Sequence, residues 1–255
     1  MTNVTISMPA RKADIIQHMQ SRVLGGEWSP GSQLPSEREL ALEYGVSRPV
    51  IREALSGLVE QGFIEIHPGR GSFVRGVMVD DLSSSLNRAA TLAKITAREL
   101  VAARLGLECT AAELAANQDS SLKANLERAL REHSEASSLQ SMADTDLAFH
   151  ESVVAASGNP LLVLMFGAIR NQVHALMLRS HSDPSVRDKG EPYHERIVEA
   201  VHNSDGKLAR ELMREHLELA LTLYGKDLDK PLSEVVESRG LRFASMLSSR
   251  ETNSN

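Results

Sequence analysis

The chain has 255 residues, 42% hydrophobic and 24% charged, with a formal net charge of −6 and one cysteine, Cys109. This composition suits a folded, water-soluble protein and excludes a disordered chain, an internal disulfide and a cysteine-rich zinc framework. No apolar run long enough for a signal peptide or a membrane span stands out, so a cytoplasmic location and no membrane partner are expected. Residues 1–76 balance Lys12 and seven arginines against Asp14 and seven glutamates, which leaves the whole deficit to the remainder. DNA affinity in that part must come from arginines gathered on one face, not from bulk charge.

In chain order, Ile15, Ile16, Met19 and Val23 form one stripe of a helix over 11–24, stopped by Gly25 and Gly26. Trp28 to Pro35 has loop punctuation. Ser36 and Glu39 form a capping box for a short helix that ends at Gly45. Ser47 caps the next helix, where Pro49 is tolerated in the first turn and Ile51, Leu55 and Leu58 make the buried stripe. Arg48 and Arg52, four apart, project together near the N-terminus of this second helix. Paired guanidiniums there suit the major groove, where arginine grips guanine O6 and N7. After Gly62, residues 63–66 and 72–74 alternate as two short strands around a tip at Pro68 to Gly71. Helix, helix, recognition helix and hairpin in this order make a winged helix-turn-helix.

Leu34 to Ala41, Val46 to Leu55 and Gly69 to Val74 resemble the DNA-binding domain of the GntR family of regulators. The resemblance implies DNA contacts by Arg38, Arg48 and Arg52, a phosphate contact by Ser47, and entry of the wing into the minor groove at Gly69.

Residues 77–85 are a candidate linker, with Asp80, Asp81 and three serines. From Leu86 the pattern is helical, with helices expected at 95–117, 121–138, 143–156, 160–180, 193–203 and 206–225, and no strand-like alternation. The expected layout is a DNA-binding domain over 1–76, a linker over 77–85, a helical effector domain over 86–230 and a tail over 231–255. The fold class is mainly α.

Asp146 and His150 share a helix face, His194 opens the expected 193–203 helix, and His216 lies on the next. One aspartate and three histidines from three helices could converge as a nitrogen and oxygen set for a divalent metal. Equally, histidines on helices are commonly surface or satisfied core residues, and His18, His67, His133, His181 and His202 are placed there. His174 borders the stripe of Ile169, Val173 and Met177 and could line a cavity.

The segments Asp146 to His150, Ser157 to Asn159, His194 to Ala200 and Met213 to Leu217 resemble the FadR-type effector domain called FCD. That resemblance implies a bundle of six or seven helices with a metal, commonly zinc, on Asp146, His150, His194 and His216. It also implies that Arg104 faces the pocket and binds a ligand carboxylate, whereas the spacing alone also fits an Arg104–Glu108 surface pair.

Two other functions compete. A metal-dependent hydrolase with an accessory DNA-binding domain would need an open metal position and a general base. No His-Glu-x-x-His motif, serine nucleophile elbow or phosphate-cradling glycine loop occurs. An architectural DNA binder leaves a large helical domain unexplained. The expected function is therefore a transcriptional repressor, a homodimer on a pseudo-palindromic operator, released by a small carboxylate metabolite.

Overall fold

Helix α1 (Lys12–Leu24) buries Ile15 and Met19 completely, and Gly25 follows as its C-cap. The computed structural model describes residues 11–76 and 79–240, with the backbone alone for 79–81. Helix α2 (Glu37–Tyr44) opens with the expected capping box: the Ser36 hydroxyl accepts from the Glu39 amide while Glu39 accepts from the Ser36 amide. Gly45 ends it in the left-handed region at φ 64°. Helix α3 (Arg48–Glu60) lays Ile51, Ala54, Leu55 and Leu58 into the core, and Gly57 lets α1 approach through Ile16. Strands β1 (Ile64–His67) and β2 (Gly71–Val74) pair antiparallel, Ile64 opposite Val74 and His67 opposite Gly71. Ile64 and Val74 join Trp28, Leu34 and Leu40 in this core. These elements form one compact unit, Met1–Met78, and Val79–Asn255 forms a second.

The second unit is all helical among its described residues. Helix α4 (Val79–Leu92) begins inside the run expected as a linker, which is a correction. Ser83, Asn87 and Ala90 are buried on one face, and Gln172 donates to the Asn87 side chain at 2.8 Å. A polar stripe thus packs on a neighbouring helix, and composition alone reads such a stripe as loop. Helices α5 (Ala97–Ala116), α6 (Ser120–Ser134), α7 (Leu139–Ala156) and α8 (Pro160–His181) follow. Thr96 and Ser138 cap α5 and α7, and Asn159 caps α8 by accepting from the Leu161 and Leu162 amides.

Helix α9 (Pro184–His202) starts nine residues before its expected onset at 193 and carries Pro192 inside it. His194 therefore sits in mid-helix rather than at its opening. Helix α10 (Gly206–Leu223) and a 3-10 turn lead to α11 (Leu232–Ser238). Leu232 and Val236 of α11 are buried in the same core as α8, and the Leu232 amide donates to the Ile95 carbonyl at 2.9 Å. The bundle therefore extends past residue 230, where a tail is expected; 241–255 lie outside the described residues.

By length and composition α8 is apolar enough to cross a membrane, with a mean hydropathy of 1.5 over its most apolar stretch. This corrects the expectation that no such run exists. Its buried positions include Gln172, His174 and Arg179 beside Phe166, Val173 and Leu176, and it packs on α4 and α7. Polar groups that find partners inside a bundle suit a core helix.

Two apolar clusters fill the second unit. One holds Leu100, Val101, Phe166, Leu176 and Val236; the other holds Leu126, Phe149, Ile197, Val201 and Met213. Arg104 and Glu108 of α5, Asp146 and His150 of α7, His194 of α9 and His216 of α10 all occur on helices that contribute to these clusters.

Candidate functional site

In the first unit, Arg38, Arg48, Arg52 and Gly69 line one groove of ≈ 1000 Å³ bounded by α2, α3 and the β-hairpin. Gly69 turns the hairpin tip at φ 73°, a conformation that favours glycine. At Gly71, φ is 108°, again a conformation that favours glycine. Ser47 occupies the N-cap position of α3, but its hydroxyl makes no cap hydrogen bond. It is exposed beside the N-terminal amides of α3, where a helix favours phosphate. Ser47 does not line the groove itself.

Glu37 escapes the sequence, where it reads only as a first-turn acid of α2. Its carboxylate accepts from Arg52 Nε at 3.1 Å and from the Arg52 terminal nitrogen at 2.9 Å, with Arg48 at 3.4 Å. The Arg52 hydrogen bond holds the Glu37 carboxyl below its ordinary range. The two arginines are thus gathered on one side of the groove while remaining largely exposed.

In the second unit, Asp146, His150, His194 and His216 meet. Nε2 of His216 lies 3.3 Å from Nε2 of both His150 and His194. Asp146 Oδ1 lies 3.4 Å from Nε2 of His150 and of His194. Zinc sits about 2.0–2.1 Å from nitrogen and oxygen ligands, and a tetrahedron of that size has edges of about 3.3–3.4 Å. Four of the six separations match that figure, while Asp146 and His216 stand farther apart, so the set is an open version of that tetrahedron. Asp146 Oδ1 is buried without a hydrogen bond, which is the state of a carboxylate oxygen whose partner is a cation.

The titration behaviour fits ligands. Burial pushes His194 well below its usual range and His216 down to about 3, so both offer neutral imidazoles. Burial alone would raise Asp146, but the imidazoles of His150 and His181 beside it hold it well below normal. Burial likewise opposes charge on Glu108, yet Arg104 and His150 bring it down to about 2.

Arg104 and Glu108 do pair, but not at the surface: they are 5% and 0% exposed. Arg104 Nε donates to Glu108 Oε1 at 2.6 Å, while Glu108 Oε2 is hydrogen-bonded to His150 Nδ1. A carboxylate behind a metal-facing imidazole fixes its tautomer and orientation. Glu108 therefore belongs to the site, a role hidden in the sequence behind its i,i+4 spacing.

Arg104 also lines a cavity of ≈ 50 Å³ together with Asp146, His150, His194 and His216. His181, expected among surface or satisfied core histidines, lines it too, and its Nε2 is 3.0 Å from Asp146 Oδ2. His133 is 3% exposed, and its ring centroid is 4.8 Å from that of His194. His174 does not line the cavity; it is bound to Asp144 at 2.7 Å. Tyr224 and Ser180, hydrogen-bonded to each other, complete the far wall.

Comparison with known proteins agrees with this two-part layout. Residues 11–74 match "Bacterial regulatory proteins, gntR family" and residues 99–219 match the "FCD domain". The chain is 32% identical to the HTH-type transcriptional regulator LutR of Bacillus subtilis, covering 76% of this chain and 92% of that one. It is 33% identical to the Uxu operon transcriptional regulator of Escherichia coli, covering 75% of this chain and 77% of that one. Among solved structures, Streptococcus agalactiae GntR shares the fold with a TM-score of 0.66 at 24% identity, covering 82% of this chain and 98% of that one.

Proposed function

The chain belongs to the GntR family of bacterial transcriptional regulators, with an FCD effector domain, and on that premise we propose that it senses a small carboxylate through a metal-centred pocket. It is a ligand-responsive DNA-binding regulator acting in the cytoplasm. The family is one of regulators rather than enzymes, which removes the metal-dependent hydrolase as an alternative.

In this reading a homodimer sets two α3 helices on a pseudo-palindromic operator, with Arg38, Arg48 and Arg52 contacting DNA, Ser47 a phosphate, and Gly69 the minor groove. Asp146, His150, His194 and His216 would hold a divalent cation, zinc by the chemistry of three imidazoles and a carboxylate. Its chemistry there is that of a Lewis acid with room for oxygen donors. Arg104, anchored on Glu108, presents its guanidinium to the same cavity, a planar fork suited to a carboxylate. The cavity is small, ≈ 50 Å³. That size suits a short acid rather than a long acyl chain.

Repression relieved by the acid is the proposed direction. The acid acts only if it binds one DNA-competence state better than the other.

The observation that carries this reading is the convergence of Asp146 Oδ1 and three imidazole Nε2 atoms beside a buried arginine. The test is calorimetry of short hydroxy-, keto- and dicarboxylic acids on zinc-loaded and metal-stripped protein. One acid is expected to bind the loaded protein much more tightly, and Arg104→Ala to abolish that acid's effect on operator binding. An effector that is neutral, or that binds equally well without metal, overturns the pocket and leaves the DNA-binding assignment standing.

A further inference from the structure

We propose a second cation subsite next to the first, formed by His133, His181 and the Oδ2 oxygen of Asp146, with Glu191 at its rim. It extends the metal-pocket reading through one shared residue, Asp146. The Asp146 carboxylate is divided: Oδ1 faces His150 and His194 at 3.4 Å, whereas Oδ2 faces His181 Nε2 at 3.0 Å. Two oxygens turned toward two separate nitrogen sets is the posture of a bridging carboxylate.

His133 supplies the independent observation. Its Nδ1 lies 3.0 Å from the Thr145 hydroxyl, and that hydroxyl donates to the Ser141 carbonyl at 2.8 Å. A hydroxyl has one proton. Thr145 must therefore accept from His133 Nδ1–H, which in the neutral ring leaves a bare lone pair on Nε2. That nitrogen is buried and, among the described residues, has no hydrogen-bond partner. Its nearest charged neighbour is another acceptor, Glu191 Oε1, at 3.4 Å. Glu191 is exposed and can turn to water, but an unpaired lone pair on the buried His133 nitrogen is costly unless a cation or a proton meets it.

The spacing permits one. Ligand atoms of His133, Asp146 and His181 all lie within 4.8 Å of one another, and so do those of His133, Glu191 and His194. Imidazole and carboxylate donors of this kind suit zinc or manganese. The rival occupant is a proton: His133 as an imidazolium, paired with Glu191.

The experiment uses the full chain, free of any histidine tag and stripped with chelator, then titrated with Zn²⁺ by calorimetry and assayed for bound metal after gel filtration. Wild type is expected to take two ions per chain. His133→Ala and, separately, His216→Ala are each expected to take one. A single ion in wild type, lost in His216→Ala and kept in His133→Ala, assigns the proton to His133 and overturns the proposal while the first site stands. A single ion lost in His133→Ala but kept in His216→Ala overturns the first site and leaves the second.

Should His133→Ala fail to fold, wild type loaded with Mn²⁺ decides. Electron paramagnetic resonance is expected to show an exchange-coupled pair at two equivalents. Two isolated ions, or one ion only, would overturn the shared carboxylate.

Discussion

Glu108→Gln tests the buried framework of the effector site with little change of shape. The amide keeps one acceptor oxygen, but the charge opposite Arg104 is lost, and that guanidinium is 5% exposed. Removing one partner of a buried ion pair costs about 3–5 kcal/mol. In a unit of this size each kcal/mol moves the melting temperature by about 2–4 °C, so the metal-free variant should melt about 6–20 °C below wild type. Glu108 also orients His150 through Nδ1. Losing such a partner weakens metal affinity about 10–100-fold, or about 1.4–2.7 kcal/mol. At the same excess of zinc, the zinc-induced rise in melting temperature should then be smaller by about 3–11 °C. Differential scanning calorimetry with and without zinc reads both numbers. If the metal-free variant melts with wild type, the pair contributes nothing. If only the zinc-induced rise is unchanged, Glu108 does not position His150.

Arg48→Ala and Arg52→Ala should each weaken specific operator binding by about 1–3 kcal/mol where the side chain reads a base, with the effector unit still folded. Gel-shift titration at fixed salt checks this, and unchanged affinity in both variants refutes the recognition-helix assignment. His194→Ala combined with His216→Ala should abolish binding at the first metal site. Elemental analysis of tag-free protein, with His133→Ala added to silence the neighbouring subsite, should find no metal; retained metal refutes the ligand set. Ser36→Ala removes the α2 cap and should cost about 0.5–2 kcal/mol. Trp28, the chain's one tryptophan, is buried in the first unit's core, so its fluorescence in urea reports that unit specifically. An unchanged midpoint there means the cap carries no weight.

The first unit is the more legible half because local chemistry dictates it. Ser36 with Glu39, Gly45 and Pro49 fix helix ends within a few residues of sequence, and Arg48 with Arg52 share a face by periodicity alone. Glu37 is hidden because it sits one residue beyond its own cap and meets the arginines only after α2 and α3 pack. In the second unit the four converging side chains stand on recognisable segments, yet their outer partners do not. His181 is 35 residues from Asp146 and on another helix, and no local rule joins them. Pro192 reads as a break, but Asp183 caps α9 by accepting from the Ser185 amide and the helix runs through the proline. Helices α4 and α11 are hidden for the opposite reason. Helix α4 turns polar Ser83 and Asn87 inward onto α8 and leaves Leu82 and Leu86 exposed, and α11 is a short helix that also packs on α8.

The charge balance of the effector site explains why metal and acid should act together. The buried permanent charges there are Arg104 against Glu108 and Asp146, a net of one negative, while burial keeps His194 and His216 neutral. The groups around His150, led by Glu108, raise its proton affinity despite burial, so a proton offsets that excess when no cation is present. With the first site alone filled, a dication would replace this proton and turn the balance to one positive. An anion entering beforehand would meet a balance already neutral, with Arg104 engaged by Glu108 and protonated His150 held between Glu108 and Asp146. After the dication it completes neutrality in a place where water cannot screen the imbalance. Because coupling between two ligands is reciprocal, an acid that gains affinity from the metal must hold the metal more tightly by the same factor. An apolar ligand would have no share in this balance, which is the physical reason for proposing a carboxylate rather than an acyl chain.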